Sequence, residues 1–262
     1  MMRELTYILM DPTGNRTLLI TDPVSEADRP AAAAELMKLE PSAEQAGFLD
    51  KSGICDIALH MAGGEFCGNA TMSAAVYCCM KSGKKEGQIQ VEASGAPDPV
   101  SVRVSAADAG FWQGCVSMPL PLSIKTISFP DGQTLPVVSF PGISHVILEQ
   151  TMSDACAEAL VKAWCRHLDA DALGLLFWNR AESSLRPLVY VPAADTLFWE
   201  SACASGSSAI GAWMASKTGT EVQLSLQQPG GILQVCASPK GSLFLHGTVY
   251  QVCKKTAAVP LP

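Results

Sequence analysis

Short apolar runs alternate with polar turns over most of this chain, a period-two texture that predicts strands. Residues 5–10 predict a strand, Asp11-Pro12-Thr13-Gly14-Asn15 a turn, and residues 17–20 the returning strand. Further strands are expected at 54–59, 89–92, 100–104 and 111–118. In the second half they are expected at 134–139, 144–149, 173–178, 187–191, 221–226, 233–235, 243–245 and 248–252, with Gly230-Gly231 as a hairpin turn. Four segments carry helical spacing instead. They are 31–39, ended by Pro41; 70–80, followed by Ser82-Gly83-Lys84-Lys85; 154–168; and 207–217. Pro119-Leu120-Pro121 is the best linker candidate and divides the chain into lobes 1–120 and 121–262, with the last strand able to pack back on the first lobe. Each lobe reads as mixed strand with one central helix that begins just after a cysteine.

Those two cysteines sit in matching contexts. The first segment is Gly64-Glu65-Phe66-Cys67-Gly68-Asn69-Ala70-Thr71 and the second is Glu200-Ser201-Ala202-Cys203-Ala204-Ser205-Gly206. In both, an acidic residue stands two or three places before the thiol, and tiny residues follow and open an Ala-rich helix. The cysteines lie about half a chain length apart, which suggests a duplicated half with one thiol each facing a shared cleft.

Composition narrows the chemistry. The chain has 262 residues, 48% of them apolar and 16% charged, which supports a sizeable core in one or two domains. A net charge of −7 argues against nucleic acid, which needs a Lys/Arg surface. No apolar run approaches a membrane span, and the opening residues are not followed by a signal-type stretch because Asp11 and Pro12 interrupt it. A soluble, cytoplasmic protein is therefore expected. The ten cysteines include no Cys-x-x-Cys pair and the four histidines are scattered, so no structural metal site is expected. Most of the cysteines are expected to be small buried hydrophobes.

A thiol at a helix N-terminus meets unsatisfied backbone N–H groups and the positive end of the helix dipole, which favours thiolate. The same N–H groups bind a carboxylate, and small residues at Gly68, Ala204, Ser205 and Gly206 let a ligand approach the backbone. An amino acid held between two such helix starts would present its α-carbon to both sulfurs. One thiolate would take the α-proton while the other thiol returned a proton to the opposite face, with neither pyridoxal nor metal. Glu65 and Glu200 are read as bases or thiol tuners, or equally as solvated helix-start residues. His145 is read as a hydrogen-bonded core histidine or a substrate contact. His60, His167 and His246 take a structural reading, and Trp199 belongs to the core or a pocket wall.

The segment Phe66-Cys67-Gly68-Asn69-Ala70 resembles the Cys-Gly-Asn element of diaminopimelate epimerases, and Ala202-Cys203-Ala204-Ser205-Gly206 is similar to their Ala-Cys-Gly-Thr-Gly element. Gly64 to Thr71 also resembles a stretch of phenazine-biosynthesis-type isomerases. Asp11 to Asn15 is similar to an N-terminal substrate-contacting Gly-Asn element, and Gly142-Ile143-Ser144-His145-Val146 is a weaker match to a Gly-Asn-Pro-His segment. The resemblance implies an α/β (α+β) fold of two pseudo-symmetric domains, each a β-barrel-like sheet wrapped around a central helix. It implies a cofactor-independent amino-acid racemase or epimerase in which Cys67 and Cys203 are the two bases. Asn15, Gly68, Asn69, Ala204, Ser205 and Gly206 would bind a small amino-acid substrate. Dimers are common in that superfamily, which leaves a homodimer open.

The chain also departs from the pattern. Where diaminopimelate epimerases carry Glu-Arg-Gly ahead of the second cysteine, this chain has Tyr190-Val191-Pro192-Ala193-Ala194-Asp195, with no arginine to grip a distal carboxylate. An amino acid other than diaminopimelate is therefore expected, and the superfamily's histidine racemases are one candidate. The competing readings are a phenazine-type isomerase with Glu65 or Glu200 as base, and a non-catalytic amino-acid-binding protein of the same fold.

Overall fold

A computed structural model describes residues 2–261. The chain divides into two compact units. The first runs to Ser117 and resumes at His246, and the second is Met118–Leu245.

In the first unit the order is β1 (Met2–Pro12), β2 (Thr17–Ile20), α1 (Arg29–Leu39), β3 (Gln45–Asp50), β4 (Ile57–Met61), α2 (Gly68–Lys81), β5 (Glu86–Ala93), β6 (Val100–Ala106) and β7 (Phe111–Ser117). β1 and β2 form an antiparallel pair, β2 runs parallel to β3 across α1, and β4 runs parallel to β5 across α2. A parallel neighbour needs a crossover, and each helix supplies one. The second unit contains β8 (Ser123–Ser128), β9 (Thr134–Phe140), β10 (Ile143–Leu148), α3 (Asp154–Leu168), β11 (Leu173–Asn179), β12 (Ser184–Val191), β13 (Thr196–Trp199), α4 (Ala204–Thr218), β14 (Val222–Gln228) and β15 (Gly231–Ser238). Its plan repeats the first: β10 runs parallel to β11 across α3, and β12 runs parallel to β14 across α4. The last strand, β16 (Ser242–Pro260), pairs with β1 and neighbours β7, closing eight strands into a barrel in the first unit.

The paired helices play different parts. α1 and α3 lie on the outer side of their sheets, where Ala32, Ala33 and Leu36 meet Leu18 and Ile20, and where Trp164 stacks on Phe129 at 4.2 Å between ring centres. α2 and α4 fill the insides. α2 packs on β1, β2 and β4 to β7, and α4 on strands from both ends of its sheet, β9 and β10 as well as β14 and β15. Strand β2 is consequently buried on both faces, which explains why Thr17-Leu18-Leu19-Ile20 does not alternate. A helix enclosed all round must be thin, which is what the Ala, Gly and Ser runs provide. Its buried hydroxyls bond back one turn, Thr71 to the Cys67 carbonyl, Ser73 to that of Asn69, Ser207 to that of Cys203 and Ser208 to that of Ala204.

Several expectations need correction. β3, β8 and β13 are strands that local pattern did not announce. The two short strands expected at 243–245 and 248–252 are one strand, of which β1 pairs with Val249–Pro260. The strand expected at 54–59 is shifted to Ile57–Met61, where Asp50 and Gly47 set its register. Pro229 and Gly230, rather than Gly230-Gly231, occupy the β14–β15 turn, since Gln228 pairs with Gly231. Only Cys79, Cys115, Cys165 and Cys203 among the cysteines are buried, and Cys156 is exposed. No helix among the described residues is long and apolar enough to cross a membrane.

The fit of α4 is tight enough to test. A Cβ on Gly211 would sit 2.5 Å from Val235 Cγ2 on β15. Gly211→Val should lower the unfolding free energy by about 1–3 kcal/mol through overpacking, read as a reduced midpoint in urea denaturation at unchanged slope.

Candidate active site

Both cysteines are the N-cap residues of the two enclosed helices. Cys67 holds an extended backbone (φ −128°, ψ 111°) and its Sγ accepts the Ala70 N–H at 3.4 Å. Cys203 does the same (φ −104°, ψ 110°), with Sγ accepting the Gly206 N–H at 3.2 Å. The carbonyl of each cysteine receives the amide and the hydroxyl of the residue four places on, Thr71 in one unit and Ser207 in the other. Both helices therefore begin immediately after the thiol rather than at the expected 70 and 207. In both, the sulfur supplies the cap that a Ser or Asp side chain gives elsewhere.

The surroundings of Cys203 form a polar chain inside the second unit. The sulfur is buried and hydrogen-bonded to the Glu200 side chain, with the Ser205 hydroxyl 3.5 Å away. Burial, then the charge and hydrogen bond of Glu200, push the Cys203 thiol well above its ordinary value, against the pull of Ser205 and the Gly206 amide. The expectation that a helix N-terminus favours thiolate is thus reversed here, because desolvation and an adjacent carboxylate outweigh the dipole. Ser205 Oγ lies 2.9 Å from His145 Nε2. His145 is fully buried and its pKa is pushed down to about 3 by desolvation, so the ring is neutral. Its other nitrogen, Nδ1, has no hydrogen-bond partner. An orphaned lone pair costs less than an orphaned N–H, which favours the tautomer with Nε2–H donating to Ser205. The Ser205 hydroxyl hydrogen is then available to the sulfur. Ala204 opens α4 beside this chain and is buried.

Gln228 was not singled out in the sequence. It is buried, its Oε1 accepts the Cys203 N–H at 2.8 Å, and its Nε2 donates to Ser207 Oγ at 2.9 Å. Through Ser207, one side chain therefore fixes both backbone groups of Cys203. A glutamine just before a Pro-Gly turn was the one local hint.

In the first unit, Gly68 and Asn69 are buried in the opening turn of α2. Glu65 is exposed, with its carboxylate folded back over Gly63. The loop that carries it lies so close to Gly95 that a Cβ there would be 2.3 Å from the Phe66 nitrogen. Asn15 is buried in the turn after β1, where Gly14 (φ 87°) and Thr13 (φ 55°) adopt left-handed backbone. Its Nδ2 donates to Glu44 Oε2 at 2.6 Å and its Oδ1 accepts from Gln45 Nε2 at 2.5 Å. Glu44, just before the unannounced strand β3, and Gln45, its first residue, are thus part of the Asn15 environment. Trp199 is a structural residue: Arg186 lies 3.6 Å over its ring and its Nε1 donates to Glu158. Among the described residues no three His, Cys, Asp or Glu side chains gather to hold a metal ion.

Comparison with known proteins adds a family. A family model described as the histidine racemase CntK N-terminal domain matches residues 4–254. A histidine racemase of Fusobacterium nucleatum subsp. nucleatum is 31% identical over 241 residues, covering 88% of each chain. Among solved structures, the Bacillus anthracis phenazine biosynthesis protein of the PhzF family superposes with a TM-score of 0.71 at 14% identity, covering 97% of this chain and 99% of that one. A probable proline racemase from Agrobacterium radiobacter K84 also gives 0.71, at 12% identity over 98% and 93%. The two structural likenesses establish the fold.

The clamp on Cys203 can be tested on its own. Gln228→Ala leaves a buried amide without its acceptor and should cost about 1–3 kcal/mol of stability, measured by urea denaturation. Ser207→Ala in the same background should then cost much less than it does alone, because the two act as one unit.

Proposed function

This chain belongs to the family of the histidine racemase CntK N-terminal domain and is an isomerase of the amino-acid racemase class, and we propose that it inverts the α-carbon of histidine with two cysteine bases and no cofactor. The observation that carries this reading is the twin cap, in which each unit presents one sulfur at the start of an enclosed helix. Histidine as substrate is supported by the matching relatives, which are named histidine racemases.

In the proposed reaction Cys67 takes the α-proton as thiolate while Cys203 delivers its own proton to the opposite face, and the reverse direction exchanges the roles. Cys203 suits the donor role because burial and Glu200 keep its sulfur protonated. Once that proton has left, the Gly206 N–H and the Ser205 hydroxyl stabilise the thiolate. The substrate carboxylate, where charge develops as the α-proton departs, is assigned to the helix starts at Gly68–Asn69 and Ala204–Gly206. Asn15 commits one Nδ2 hydrogen to Glu44, and the second is assigned to the substrate. Glu200 tunes the thiol, and His145 orients Ser205.

Incubation with L-histidine in D2O should erase the α-proton NMR signal and yield D-histidine. Cys67→Ser and Cys203→Ser should each slow this by about 10²–10⁴. Folded protein that leaves the α-proton of histidine untouched would overturn the histidine assignment. Full activity in Cys203→Ser, with loss in Glu200→Gln, would move the reaction to a carboxylate base.

The Glu200 contact also fixes the sign of a pH effect. A neighbouring negative charge raises a thiol pKa, so Glu200→Gln should lower that of Cys203. The alkaline limb of the kcat/KM profile should then move down by about one unit, whereas a purely structural Glu200 would leave it in place.

A further inference from the structure

The racemase chemistry leaves one cluster in the first unit unused. β5, β6, β7 and the His246 end of β16 border a cavity of about 610 Å³ whose lining includes Glu86, Gln88, Arg103, Cys115 and His246. On β7, Gly114 points at Met72 of α2, so Cys115 faces the other way, out of the barrel interior. Arg103 and Cys115 are direct cross-strand partners, and Gln88 is the partner of Arg103 on the other side. The Arg103 guanidinium donates to Cys115 Sγ at 3.7 Å, and His246 Nε2 lies 3.5 Å from the same sulfur.

A thiol between an imidazole and a guanidinium has a base to take its proton and a cation to hold the thiolate. His246 is kept below its ordinary pKa, first by burial and then by Arg103, so its ring is neutral and its nitrogen can accept. The same lining offers both a cation and an anion, Arg103 and Glu86, the latter two places along the neighbouring strand from Gln88, the partner of Arg103. That combination matches the carboxylate and ammonium of a free amino-acid terminus.

We propose that Cys115 is a thiol–disulfide exchange site that takes small disulfides built from amino acids, such as glutathione disulfide. His246 Nε2 accepts the Cys115 proton, and the thiolate attacks one sulfur of the disulfide. A new S–S bond forms to Cys115, the reagent's S–S bond breaks, and the departing thiolate leaves as thiol with the proton from His246. Protein thiol and disulfide thus become mixed disulfide and small thiol.

Cys156 provides an internal reference. It is exposed in the first turn of α3, and among the described residues no imidazole or guanidinium hydrogen-bonds its sulfur. With glutathione disulfide and peptide-resolved mass spectrometry, Cys115 should be modified about tenfold faster than Cys156 despite its lower exposure. Arg103→Gln and His246→Gln should each slow Cys115 by about tenfold, with Cys156 unchanged, and Arg103→Lys should restore part of the rate. Cystamine, which lacks carboxylates, should lose the preference for Cys115. The assignment fails if Cys115 reacts no faster than Cys156. It also fails if Arg103→Gln and His246→Gln leave its rate unaltered in protein whose melting temperature and Cys156 rate match the parent.

Discussion

A helix sealed inside a sheet has no water to satisfy the N–H groups of its first turn, so something in the protein must accept them. In both units that acceptor is a cysteine sulfur, on Ala70 N–H in one and on Gly206 N–H in the other. Sulfur is a weak acceptor, and the Ser, Thr, Asp or Asn that usually caps a helix would hold the same amide better. Cap strength alone therefore gives no reason for cysteine at both positions. A thiol ionises far more readily than a hydroxyl, which suits it to the proposed proton transfer. On the proposed mechanism the same atom closes the helix and carries the chemistry, so the reactive group would be held by the fold.

That placement imposes the rest of the architecture. A helix whose opening turn lies inside the fold must be covered on every side, and the closed strands around α2 provide the cover. The cover leaves room only for small side chains, as Gly211 against Val235 and Gly206 against Leu176 record. Small helices bury little surface, and α1 and α3 compensate by packing larger residues on the outer side of each sheet. Strands between inner and outer helices are then apolar on both faces, which accounts for the high apolar and low charged content of the chain.

The sequence carries this unevenly. α3 is legible to the residue because its periodicity, Ser153 cap and polar outer face are all local. Cys67 and Cys203 are legible because the two segments match. The short strands β3, β8 and β13 are not: β3 is paired to β2 across α1, while β8 and β13 form hairpins with their neighbours β9 and β12 and are too short to stand out as separate apolar runs. The opening turns of α2 and α4 are missed because Gly68-Asn69 and Ser205-Gly206 are poor helix formers whose conformation is set by the cap and the enclosure. Gln228 has only a faint local sign, its place before a Pro-Gly turn, since its value lies in a contact with a residue twenty-five positions away. The protonated state of Cys203 is equally non-local, because it depends on burial and on how Glu200 turns.

The two caps share a backbone but differ in surroundings, and on the proposed mechanism that difference has a function. L- and D-histidine have equal free energy in water, so the enzyme cannot favour one product, only the form in which it rests between turnovers. A buried thiol bonded to Glu200 sets that resting form with the proton on Cys203. Turnover in one direction consumes that proton and leaves a thiolate facing Ser205 and the Gly206 amide. On that mechanism, return to the resting form requires a proton to come back to a site closed to bulk water, and Glu200, half-buried and bonded to the sulfur, would be the group to pass it. His145 cannot share that task, since burial keeps its ring neutral and its bond to Ser205 only points the hydroxyl. On the proposed mechanism the carboxylate would both hold the thiol protonated and restore it.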